Sequence, residues 1–266
     1  MIVPCSLVIE LYHIYLIYLA KKFKRLNLAD MDKYFDAHRH ISDEPPRANT
    51  IYNATTESDW AAVIARTGTD TFGAIGIHPW FVNTATPGWD ARMVEILKQN
   101  PDLMIGEIGL DKNHDDMELQ CAIFQRQTEI ACALGRRAQI HCLGAWDRMG
   151  AILARAGALR APLFHGWTGA VEIMDAMTRK YDAYFSFSGN IADPRHVRAR
   201  TCVAHAPETR ILVESDDMSP ATIYDAIAAI AEIRGTTPEH VAEITYQNAM
   251  GMIKDGQTAK NTCTDW

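Results

Sequence analysis

Two histidines stand two residues apart in the stretch "YFDAHRH" (34–40). Side chains at positions i and i+2 of a β-strand leave the same face. His38 and His40 therefore share a face, and Phe35 and Ala37 take the opposite one. Two imidazoles on one face can chelate one divalent cation without straining the backbone. An isolated H-x-H also fits a strand that simply carries polar residues, so the rest of the chain has to decide.

Further candidate ligands follow short apolar runs. His78 stands in "GIHPW", Glu107 and Asp111 in "GEIGLD", His141 in "QIHC", His165 in "LFHG", and Glu214 and Asp216 in "VESD". Nitrogen and carboxylate donors without thiolate suit Zn, Mn, Mg or Fe. Even four imidazoles and two carboxylates from this set are too many for one hydrolytic zinc with an open position. They suffice for two cations, roughly 3.5–4 Å apart, bridged by a carboxylate and sharing a hydroxide. Glu107 lies in an apolar strand, where an unpaired carboxylate costs several kcal/mol or takes up a proton; a cation resolves that cost.

These residues need a frame. β-Branched and aromatic runs predict strands at 34–41, 50–55, 71–79, 103–111, 137–142, 161–166, 183–189 and 210–216. Apolar spacing near 3.6 predicts helices at 57–67, 117–135, 144–157, 170–181, 219–234 and 238–254. In "TTPEHVAEI", Thr is a cap and Pro opens the first turn of the last of these helices. Strands alternating with helices point to parallel βα units. Their number and a globular length near 230 residues, read from the sequence, predict a (β/α)8 TIM barrel. The alternative is a doubly wound open sheet, which requires a glycine-rich phosphate loop after the first strand; "HRHISDEPP" stands there instead. Barrel active sites lie at the strand C-termini, where the candidate ligands fall.

Of the 266 residues, 48% are apolar, enough for a sizeable core, and the formal charge of -7 argues against a protein that holds nucleic acid by charge alone, though not against an enzyme that carries its own cations. The six cysteines form no C-x-x-C pair, which argues against a zinc ribbon and for reduced thiols in a cytoplasmic protein. Cys142, beside His141, reads as a buried, inert thiol.

Residues 1–33 form an extension, apolar over 2–20 and basic over 21–25. A spanning helix needs about 20 apolar residues, and Glu10 and His13 interrupt this run. A signal peptide fits poorly, because the basic residues follow the apolar run. The reading ranked first is a start called too early, with Met31 as the real one. Membrane contact is expected only if 2–20 inserts, and the globular part then stays cytoplasmic. Residues 34–254 make the barrel, and 255–266 read as a polar tail.

The blocks "FDAHRH", "AIGIHPW", "IGEIGLD", "QIHC", "LFHGWTG", "FSFSGNI" and "LVESD" occur in this order. Together they resemble the signature blocks of the TatD family of metal-dependent hydrolases, in the amidohydrolase-like barrel group, over about 34–253. The resemblance implies a (β/α)8 barrel and a divalent-metal deoxyribonuclease, often a 3′→5′ exonuclease, that uses two ions (Mg, Mn or Zn) and a metal-bridging hydroxide. By matching motif, it implies that His38 and His40 hold one metal, Glu107 bridges both, and His141 and His165 hold the second. Asp216 binds the first metal and orients or deprotonates the attacking water. His78 faces the substrate phosphate. Asp111 follows Glu107 by four residues and so shares its parity, which makes it a candidate partner for a ligating histidine. The implied partner is DNA or a small phosphoester, with no stable protein partner.

The chain also departs from the family. "DKNHDD", "HCLGAW" and "DMSPATIYD" stand where the family usually carries basic residues. Such a rim would suit a smaller phosphoester, or the same centre acting on a non-nucleic ester, lactone or amide. A barrel that has lost catalysis and only binds is the remaining reading, opposed by the complete ligand set. Glu214 reads equally as a site residue or as structural. His114 reads as a solvated loop residue and Ser186 and Ser188 as packing rather than nucleophiles; Trp80, Trp146 and Trp167 either roof the barrel or line a pocket and stack on a base or ring.

Overall fold

The structure is a computed structural model that describes residues 34–258, apart from 46, 48, 158 and 217–221, and for 255–258 describes the backbone alone. The readings made for residues 1–33, for the loop after Asp216 and for the end of the tail lie outside the described residues. No helix among the described residues is long and apolar enough to cross a membrane.

Eight parallel strands follow one another in sheet order as they do in sequence. They are β1 (Asp36–His40), β2 (Thr50–Asn53), β3 (Thr71–Ile75), β4 (Met104–Asp111), β5 (Ala138–Leu143), β6 (Leu163–Phe164), β7 (Tyr184–Phe187) and β8 (Ile211–Val213). The sheet closes through a bridge between Arg39 and Asp216, where the Asp216 N–H donates to the His38 carbonyl at 2.9 Å. The expected (β/α)8 barrel is the fold. Between and after the strands run α1 (Trp60–Arg66), α2 (Trp89–Gln99), α3 (Met117–Ala133), α4 (Trp146–Ala156), α5 (Val171–Tyr181), α6 (Val197–His205), α7 (Thr222–Arg234) and α8 (Pro238–Thr258).

Two helices, α2 and α6, were not legible in the apolar spacing. α2 buries only Met93 and Leu97, and α6 only Cys202 and Val203, so neither carries a broad apolar stripe. The cap expected before α8 is present: the Thr237 hydroxyl accepts the His240 N–H at 3.2 Å. This helix continues to Thr258, past the expected boundary at 254.

The core has two parts. Strand and helix side chains such as Ile105, Ile140, Phe185, Met93, Leu153 and Ile227 fill the layer between barrel and helices. Fully burying each such side chain contributes roughly 1.5–3 kcal/mol. A second cluster gathers Phe35, Ile51, Leu163 and Leu212, near the strand starts, with Ala249 and Met252 of α8. That helix thus closes the end of the barrel opposite the strand C-termini, leaving the other mouth for chemistry.

Several strands are shorter than their apolar runs. β3 stops at Ile75, β6 at Phe164 and β8 at Val213. His78, His165 and Asp216 lie just beyond, where the chain is free to turn its side chains toward the barrel axis. Asp216 has φ 53°, a left-handed conformation that Asp tolerates better than most residues.

Candidate metal centre

Glu107 stands at the middle of the mouth, 1% exposed. Its two carboxylate oxygens face different groups. Oε2 lies 3.2 Å from Nε2 of His38 and 3.2 Å from Nε2 of His40. Oε1 lies 3.1 Å from His78 Nε2, 3.1 Å from His141 Nδ1 and 2.6 Å from His165 Nε2. Asp216 joins the first group, its Oδ1 3.3 Å from His40 Nε2. Within the sets His38–His40–Asp216, His38–Glu107–His165 and His78–Glu107–His141, donor atoms lie within 4.8 Å of one another. His38, His40, Glu107, His141, His165 and Asp216, the metal ligands that the resemblance implies, therefore meet in one place, together with His78.

Burial pushes the Glu107 carboxyl up, but the His165, His78 and His38 imidazoles outweigh it and hold the group well below the usual carboxylate range. For Asp216, burial likewise works upward, and the hydrogen bond from His40 with the nearby His165 and His38 holds the carboxyl well down. Burial works to lower His165, yet the Glu107 charge raises it well above the usual imidazole value.

Hydrogen bonds to the far side of each ring determine which nitrogen faces inward. Gln139 Nε2 donates to the Ala37 carbonyl at 3.2 Å, so its Oε1 accepts from His38 Nδ1–H at 2.7 Å. In the neutral ring the Nε2 lone pair of His38 then points at the centre. His141 does the converse: its Nε2–H donates to Asp111 Oδ2 at 3.2 Å, turning the Nδ1 lone pair inward. His78 differs, because its Nδ1 accepts the Trp80 backbone N–H at 3.2 Å. The His78 proton therefore sits on Nε2 and points toward the centre.

Inward lone pairs beside an ionised carboxylate repel unless a cation lies among them. Oε1 of Glu107 is buried with nitrogens of His78, His141 and His165 2.6–3.1 Å away, yet none of these ion-pair contacts has good hydrogen-bond geometry. An orphaned acceptor of this kind, among nitrogen and oxygen donors, fits a divalent cation.

The supports come from elsewhere in the chain. Asp111, expected to partner a ligating histidine, accepts from His141 and also from Trp80 Nε1 at 2.7 Å. Two buried glutamines of α3 hold the mouth: Gln120 accepts the Asp111 N–H at 2.8 Å, and Gln127 the Ile77 N–H at 2.7 Å. Gly109 has φ 152°, and a Cβ there would run into the His141 carbonyl, so β4 and β5 approach closely only with glycine.

Sequence reasoning missed Gln139, although its spacing of two from His141 places it on the same face. Glu214, left open, points inward: it is fully buried, accepts from the Ser186 hydroxyl, and has Oε1 3.8 Å from His165 Nδ1. His114 is an exposed loop residue that also stacks on Trp80, ring centroids 4.4 Å apart. Trp146 and Trp167 pack on each other at 4.7 Å, with Trp167 buried, whereas Trp80 is 48% exposed at the mouth. Burial pushes the Cys142 thiol up to about 12, in keeping with an inert core residue.

A closed parallel barrel with imidazoles and carboxylates gathered at the carboxyl ends of its strands defines a metal-dependent hydrolase. The chain belongs to the TatD family: the family described as TatD related DNase matches residues 35–254. A 3'-5' ssDNA/RNA exonuclease TatD of Salmonella typhimurium is 26% identical over 218 residues, spanning 74% of this chain and 84% of that protein. An uncharacterized metal-dependent hydrolase of Bacillus subtilis is 26% identical over 198 residues, 69% of this chain and 77% of its own length. The crystal structure of a TatD homologue from Escherichia coli K12 superposes with a TM-score of 0.73 at 20% identity, covering 84% of this chain and 98% of that one.

Proposed function

We propose that this hydrolase cleaves phosphodiester bonds of single-stranded nucleic acid, with two divalent cations held between His38, His40 and Asp216 on one side of Glu107 and His141 and His165 on the other. The observation that carries the reading is the division of the Glu107 carboxylate, with one oxygen toward each group of donors. Bound cations would polarise the phosphoryl oxygens and lower the pKa of water. Glu107 holds its charge at the centre of the donors, and Asp111 and Gln139 hold His141 and His38 in their inward-facing tautomers.

Asp216, ionised and at the edge of the mouth, accepts the proton of the attacking water as its oxygen bonds to phosphorus. His78 Nε2–H donates to the phosphoryl oxygen on which charge develops. The bond from phosphorus to the leaving oxygen breaks, and that oxygen takes up a proton from solvent water, releasing a phosphorylated and a hydroxyl end. The names of the curated relatives support nucleic acid as the substrate class.

The test is release of nucleotides from single-stranded DNA and RNA with Mg, Mn or Zn, alongside metal analysis of the wild type and of Glu107→Ala. Release by the wild type, with activity and metal both lost in the variant, is expected. No release with any metal, or equal metal content in both proteins, would overturn the reading.

A further inference from the structure

Two clefts meet at the centre, and they differ in charge. The first, about 340 Å³, is walled by Trp80 and Phe81, and its described lining holds no lysine or arginine. The second, about 510 Å³, shares His141, His165 and Asp216 with the first and runs out along the segment that leads from β7 into the first turn of α6. There Arg195, His196, Val197 and Arg198 line it and are all exposed. Val197, between the two arginines in sequence, is 66% exposed. Arg195 is held by Asp193 through contacts of 2.6–3.1 Å. Arg198 has no ion-pair partner among the described residues, whereas Arg200, two positions on, is tied to Glu232 at 3.1 Å.

We infer that the second cleft is the strand-binding arm of the site: Arg198 and Arg195 grip consecutive backbone phosphates of a single-stranded polynucleotide, while the aromatic first cleft takes the nucleotide on the other side of the scissile phosphate. This rests on the nuclease reading above and narrows it from any phosphodiester to a chain long enough to span both clefts.

Three physical points carry the assignment. The two clefts share reactive-centre residues, so a chain reacting there lies in both. An aromatic wall without cations suits a base, whose stacking is sequence-tolerant and worth about 1–3 kcal/mol. Guanidinium groups pair with phosphate in a bidentate manner, and an uncommitted arginine beside a catalytic centre in a chain of net charge -7 is positioned against the prevailing field. The loops after β4 and β5 carry one lysine, Lys112, and no arginine; the guanidinium groups beside the centre come from the segment after β7.

The experiment measures binding of fluorescent single-stranded DNA and RNA 12-mers to the full chain in EDTA, by anisotropy, from about 50 to 200 mM salt. The wild type binds the 12-mers more tightly than a 5′-mononucleotide, which cannot reach both clefts. R195A/R198A weakens 12-mer binding about tenfold at low salt and flattens the salt slope by about 0.7 per lost contact. R198A alone, which leaves the Arg195–Asp193 pair intact, shows about half of that flattening. R126A, which removes a cation paired with Asp90 on the outer helices, binds as the wild type. If R195A/R198A matches the wild type in affinity and slope while the wild type releases nucleotides, the strand-arm assignment fails and the nuclease reading stands. If the wild type neither binds nor cleaves either 12-mer, both fall.

Discussion

The backbone N–H of Asp216 donates to the carbonyl of His38, 2.9 Å away, across the seam that closes the barrel. The contact joins the last strand to the first, and both residues it joins belong to the proposed metal centre. Closing the cylinder and assembling one cation's donors are therefore a single structural event. A change that opens this seam would also separate His38 and His40 from Asp216.

Asp216 should separate these two duties on substitution. Asn also tolerates the left-handed conformation, so Asp216→Asn keeps the seam and loses the carboxylate. Activity is expected to fall about a hundredfold or more with little change in melting temperature. Asp216→Ala should lose activity and, in addition, about 1 kcal/mol of stability from the strained φ. Steady-state kinetics with thermal unfolding of both variants checks this.

Gln139 should act through His38. Gln139→Leu leaves His38 Nδ1 without its acceptor and frees the ring to change tautomer. Metal affinity is expected to drop about 10–100-fold, measured by titration of the metal-free protein, while circular dichroism reports a folded barrel. Unchanged affinity would show that the tautomer is set by something else.

His78 and His141 both lie 3.1 Å from the same oxygen of Glu107. Their tautomers assign them different roles. His78→Asn should keep its metal content and lose about a hundredfold in kcat. His141→Asn should lose metal from one site. Metal analysis and kcat on the same preparations distinguish the two, and loss of metal in His78→Asn would make it a ligand.

Asp36 gives the metal-free protein a pH signature. Burial pushes its carboxyl up from 3.8 to about 7, against the Ser215 N–H and hydroxyl, which donate to it at 2.9 and 2.6 Å. The folded value exceeds the unfolded one, so the folded state binds the proton more tightly. This contribution to stability is complete below about pH 3.8 and is lost as pH rises toward 7. Asp36→Asn retains an oxygen for the Ser215 N–H and cannot ionise. The stability of the variant relative to wild type should increase steadily between those pH values, by a few kcal/mol in all. Denaturant unfolding in EDTA at several pH values measures it; a flat difference would contradict the assignment.

What the chain alone determined was local and periodic. Spacing of two put His38 and His40 on one face, the spacing of four from Glu107 to Asp111 suggested a supporting carboxylate, and alternating apolar runs located all eight strands. These features depend on the geometry of single elements, which the order of residue types encodes directly. The helices α2 and α6 escaped because each buries too few side chains to leave a periodic trace.

The tertiary structure decided the rest. It turned one oxygen of Glu107 toward each donor group, made His78 a proton donor through Trp80, and brought Gln139 to His38 over 101 positions of chain. It also turned Glu214 inward and placed the basic segment after β7 beside the centre. Such relations depend on the tilt and stagger with which a sheet closes on itself. They are set by the packing of all the strands together, and no window of sequence contains them.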